Sequence, residues 1–168
     1  MKSRYLKALA VLAMGLALLL LVGRRAVAHS GDWDRDAKTL EGTWVVTVTQ
    51  QVCPNGPAVA SPFKSLLTFN EGGTMTETTT NPMIVPPVFR GPGHGVWSHT
   101  GAHTFSADTM AFLTVNGALV KTQKISQTIE IGDNPDQFTT TGASVQFFDP
   151  AGNLLVSGCA TATGQRFE

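Results

Sequence analysis

The residues able to do chemistry in this chain are few, and most lie between positions 77 and 108. Glu77 sits on a threonine-rich segment where strict alternation gives it the same face as Met75. An inward carboxylate among apolar neighbours would hold its proton more tightly and serve as a general acid or base. The run of threonines around it makes the facing ambiguous, and a one-residue slip that turns the same side chain to solvent is the expected outcome. Asp108 is a weaker candidate of the same kind. His94, His99 and His103 fall within ten residues, and imidazole is a common metal ligand. No cysteine or acidic residue completes a ligand spacing around them, so no metal site is assigned and cross-strand polar packing is their expected role. Serines 98, 106, 126 and 144 are not set in a Gly-x-Ser-x-Gly elbow. His-Glu-x-x-His and phosphate-binding glycine loops are likewise lacking, so no catalytic motif is recognised and no cofactor is implied.

Binding chemistry has a better candidate in residues 81–93, NPMIVPPVFRGPG. Met83, Ile84, Val85, Val88 and Phe89 are too apolar for an ordinary solvated loop, and prolines at 82, 86, 87 and 92 stiffen it. The segment reads either as a rim for an apolar ligand or as a cover for the core. The expected ligand contacts are Met83, Ile84, Val88, Phe89 and Trp97, with Arg90 or His94 as polar anchors. Arg90 alone reads first as a solvent-facing side chain.

The N-terminus bounds where such chemistry would happen. Lys2, Arg4 and Lys7 precede an apolar run from Ala8 to Val22, and Ala26-Val27-Ala28 supplies a small-x-small cleavage signal. Residues 1–28 therefore read as a signal peptide, placing the mature chain in the periplasm or outside the cell. An uncleaved anchor is the alternative, because Arg24 and Arg25 lie close to the cut. Cleavage leaves 7 basic residues against 12 acidic ones, a net charge of −5. That balance argues against nucleic acid or an anionic membrane as partner. Cys53 and Cys159 in an exported chain read as one disulfide.

Residues 29–40 form a polar tail, and the domain proper spans 41–168. Helical periodicity is nowhere sustained in it. Period-2 segments recur instead, giving eight expected strands at 42–52, 62–70, 73–80, 94–99, 102–115, 118–131, 137–148 and 153–163. Asn116-Gly117 is a type I′ hairpin pair, and Asp149-Pro150-Ala151-Gly152 suits a type I turn ending in a left-handed glycine. In the sixth strand Ile125, Gln127, Ile129 and Ile131 share one face, while Lys124, Ser126, Thr128 and Glu130 share the other. A wet outer face excludes an outer-membrane barrel, whose exterior is apolar. The fold class is all-β: an eight-stranded antiparallel up-and-down barrel.

Gly42-Thr43-Trp44 on the first strand, with Arg166 just after the last, resembles the lipocalin and wider calycin pattern. The resemblance implies an arginine covering a tryptophan at the closed end of the barrel, a structural pairing. A register argument points the same way. If Cys53 faces Cys159 across the first and last strands, opposed residue numbers sum to 212, Val46 faces Arg166, and Trp44 is the diagonal neighbour on that face.

Long connections at 53–61 and 81–93 then frame the other end. The expected function is a secreted barrel binding a small apolar or amphipathic molecule. A cyclase- or isomerase-type barrel enzyme using Glu77, resembling allene oxide cyclases, is one alternative. A filled barrel that binds a protein through its loops is another.

Overall fold

Strands that alternate apolar and polar side chains bury one face each, and eight of them can close with that face inside. The computed structural model describes residues 39–167. The segments read as signal peptide and most of the polar tail lie outside the described residues. The strands are β1 (Gly42–Gln51), β2 (Phe63–Phe69), β3 (Thr74–Thr79), β4 (Val88–Gly101), β5 (Thr104–Val115), β6 (Ala118–Ile131), β7 (Gln137–Phe148) and β8 (Leu154–Arg166). They pair antiparallel in sequence order, and β1 closes on β8. The eight-stranded antiparallel up-and-down barrel expected from the alternation is present. Its hairpins follow the turn chemistry: Asn116 and Gly117 take φ of 51° and 81°, and Gly152 takes 89°. Asp149 stabilises the last turn by accepting bonds from the Ala151 and Asn153 amides at 2.9 and 2.8 Å.

One end of the interior is solid. Leu40, Trp44, Phe69, Met75, Ile131 and Phe138 are all but inaccessible there. Trp44 lies 4.9 Å from the Phe138 ring and donates its indole N–H to the Leu40 carbonyl at 2.8 Å. The Arg166 guanidinium stacks 4.3 Å from the Trp44 ring centre. A stack of this kind contributes roughly 0.5–2 kcal/mol. Arg166 also donates to Asp136 at 3.0 Å and to the carbonyls of Glu41 and Thr39 at 2.6 and 3.0 Å. Gly42 makes room for this: its φ is +114°, and a Cβ there would stand 2.9 Å from Arg166 Nη1.

Two expectations are corrected. The β1–β8 register sums to 210 rather than 212, so Trp44, not Val46, faces Arg166 directly and Cys159 faces Gln51. The reason is local. The chain turns after Gln51, with Gly56 N–H bonding the Val52 carbonyl at 2.7 Å, so Cys53 is already in the loop. It still bridges Cys159, with Cα atoms 5.1 Å apart. The second correction is β4, which begins at Val88 rather than 94, so Val88, Phe89 and Arg90 are strand residues. Between Arg90 and Gly93 the register with β5 shifts by one: Gly91 and Pro92 face a single residue of β5. A bulge needs no amide from its extra residue, so Pro92 fits where a regular strand would exclude it.

Reducing the bridge frees a loop of sequence separation 106 in the unfolded chain. The expected loss of stability is about 4 kcal/mol. Urea unfolding with and without reductant measures it, and an unmoved midpoint would contradict the cross-link.

Candidate functional site

Beyond the aromatic plug the inward-pointing residues become smaller or polar, and the barrel is hollow. Val46, Val48, Leu67, Val145 and Ala160 are among the apolar walls of a cavity of about 50 Å³. Glu77, Arg90 and Gln123 converge in it. Arg90 Nη2 donates to Glu77 Oε2 at 2.6 Å, and the two side chains are 5% and 9% exposed. Arg90 Nε donates to Gln123 Oε1 at 2.5 Å and Nη1 to the Gly91 carbonyl at 3.3 Å. Ser65 Oγ reaches Glu77 Oε1 only at 3.5 Å.

The local sequence explains how a charge pair reaches the interior. Glu77 follows Met75 inward on β3, and its partner position on β4 is Gly93. A Cβ at Gly93 would stand 2.7 Å from Glu77 Oε2 and 3.6 Å from Arg90 Nη2, so the missing side chain is the space the pair occupies. The Gly91-Pro92 bulge does the rest. Trp97, Gly95 and Gly93 point inward at odd positions, and the extra residue shifts the inward parity so that Arg90 joins them. In a regular strand Phe89 would face the cavity; it is instead 68% exposed. Desolvating two charges costs several kcal/mol each, which only close contact and further hydrogen bonds offset.

Glu77 faces inward rather than to solvent as expected, because β3 keeps strict alternation from Met75 and no slip intervenes. Arg90 is buried, not solvent-facing, and the carboxylate it meets belongs to its own chain. Met83, Ile84 and Val88 come together with Val85, Val120 and Phe147 around a depression of about 270 Å³ at the barrel mouth. Gln50 and Asn81 line both this depression and the inner cavity, so the two adjoin.

Three expected contacts lie elsewhere. Phe89 points outward from the bulged strand, and His94 is exposed, paired with Thr76 and Met110 on neighbouring strands. Trp97 lies nine positions past Val88, about 30 Å along a strand. It packs into the plug against Phe69 and Phe105, at 6.1 and 5.9 Å, and donates to the Asn70 carbonyl at 3.0 Å. His99 stacks against Phe105 at 4.8 Å. Asp108 is bonded by Ser126 and has Lys124 3.8 Å away, both outside the cavity lining. Gln50, Ser65 and Gln123 were not singled out from sequence. Gln123 had a signal: it extends the inward face of β6 already marked by Ile125 and Gln127.

No family model and no curated protein matches the chain. Among solved structures, a redesigned β barrel is similar at 21% identity, with 79% of this chain and 96% of that one covered and a TM-score of 0.43.

The ion pair makes a sharp prediction. Arg90→Met strands a carboxylate in the interior and is expected to cost about 3–5 kcal/mol. Glu77→Met combined with Arg90→Met is expected to recover most of that loss. Chemical denaturation of the two single variants and the double variant tests the coupling, and additive losses would refute it.

Proposed function

We propose that this protein is an exported barrel that holds one small amphipathic molecule, entering through the mouth framed by the β1–β2 and β3–β4 connections. The observation that carries this reading is the contrast between the two ends. One is packed solid around Trp44, while the other opens through an apolar depression onto a buried Glu77–Arg90–Gln123 cluster. Ligand sites are mostly apolar, with a few converging polar groups that fix orientation. The inner cavity of about 50 Å³ suits a head group or a few heavy atoms, and the 270 Å³ mouth suits the apolar body. Met83, Ile84 and Val88 are the wall contacts in this reading. Arg90 acts through its hold on Glu77. Export is supported by the charged and apolar N-terminus and by the Cys53–Cys159 bridge, which persists in oxidising compartments. Gly42-x-Trp44 under Arg166 supports kinship with lipocalins and calycins as part of the same proposal.

A barrel enzyme of the cyclase or isomerase type is the second reading, and the burial of Glu77 beside the cavity favours it. In that case the walls orient a folded substrate, and positioning supplies much of the rate. Glu77 is the acid or base, and a Glu77→Gln variant with undiminished turnover would remove it.

Native mass spectrometry of the exported protein, before and after organic extraction and refolding, tests the first reading. The expected result is a reproducible extra mass that extraction removes. A mass equal to residues 29–168 less two hydrogens in both samples would favour a filled barrel acting through its loops.

A further inference from the structure

Gln50 ends the inward face of β1, at the boundary between the cavity and the mouth. Its Oε1 is buried and, among the described residues, is the buried side-chain polar atom left without a hydrogen-bond partner. A buried acceptor with no donor carries a desolvation penalty that a ligand donor would remove. Glu77 Oε1 is the second underused acceptor, approached only by Ser65 Oγ at a distance beyond a good hydrogen bond. The strongest donor of the site is already committed: Arg90 spends Nε on Gln123 and Nη2 on Glu77. Its positive charge is answered by Glu77, so a second carboxylate seated in the inner cavity would meet an anion, and the further cation of the lining, Lys121, stands out at the mouth.

We infer that the ligand's head group is an uncharged hydrogen-bond donor, a hydroxyl, that donates to Gln50 Oε1 with its apolar chain along the mouth. This deepens the binding reading above and rests on it. A hydroxyl carries one donor, which goes to Gln50 Oε1, and lone pairs that can accept from Ser65 Oγ, a hydroxyl of the same cavity wall held only at 3.5 Å by Glu77. An ether of the same length presents the same bulk without the donor and leaves Gln50 unsatisfied. A carboxylate adds repulsion from Glu77.

Isothermal titration calorimetry of the disulfide-bonded, extracted protein with 1-octanol, heptyl methyl ether and octanoate separates these cases. 1-Octanol is expected to bind roughly tenfold more tightly than the ether, the order of a single unsatisfied buried group, and octanoate most weakly. In Gln50→Leu the alcohol's advantage over the ether should fall below about twofold, while ether binding is retained. This second comparison guards against a variant that simply misfolds. Equal or tighter binding of octanoate or of the ether would overturn the hydroxyl assignment and leave the binding reading standing. Absence of heat with all three probes in the wild-type protein would overturn both.

Discussion

Eight strands wound in sequence order leave two unpaired edges until the first meets the last, and everything inside this protein depends on that meeting. The β1–β8 ladder places Trp44 opposite Arg166, and the stack between them seals one end of the closed sheet. Closure removes the exposed edges that invite association with other chains. It also makes the inward faces of all eight strands a single surface, so that side chains far apart in sequence, Glu77, Arg90 and Gln123, share one space. The bridge between Cys53 and Cys159 reinforces the same seam from the loop side, near the opposite end of the ladder. A seam held at both ends lets the interior between them be imperfectly filled.

That interior is divided by residue size. Large aromatic side chains from β1, β2 and β7 meet at the plug, whereas Ala143, Val145 and Ala160 on β7 and β8 leave room nearer the mouth. A hydrophobic isostere in place of a buried ion pair is often as stable or more so, so stability alone does not explain the Glu77–Arg90 pair. Its position at the floor of the open half, with Gly93 vacated beneath it, ties the pair to the cavity.

The barrel, its strand order and the bridge are legible because each follows from a rule with a short range, whereas the Trp44–Arg166 contact is implied only by a resemblance, and the register count puts Val46 in Trp44's place. Alternation sets facing, Asn-Gly and Asp-Pro-x-Gly set hairpins, and two cysteines admit one pairing. The site was harder to read because it depends on facing across an irregularity. Counting back by twos from Trp97 puts Phe89 inside and Arg90 outside, and only the Gly91-Pro92 bulge reverses this. Pro92 carried the clue, since a proline in a paired strand marks a bulge or an edge. The threonines of β3 hid Glu77 for a different reason: a side chain that is neither apolar nor charged tolerates both faces. Trp97 was misplaced because β4 runs the full height of the barrel, and its two ends serve different halves of the interior.

The seam has one more effect, on how the molecule can be handled. Phe167 N–H bonds the Thr43 carbonyl at 2.8 Å, and Arg166 reaches the Thr39 carbonyl, so the two ends of the described chain leave side by side at the plugged pole. The barrel is topologically almost a ring. A short linker from 167 to 39 would close it, and cutting at Asn116-Gly117 would give a circular permutant with every interior contact retained. For the same reason, attachment to a solid support through either end presents the mouth outward, unobstructed by the tether.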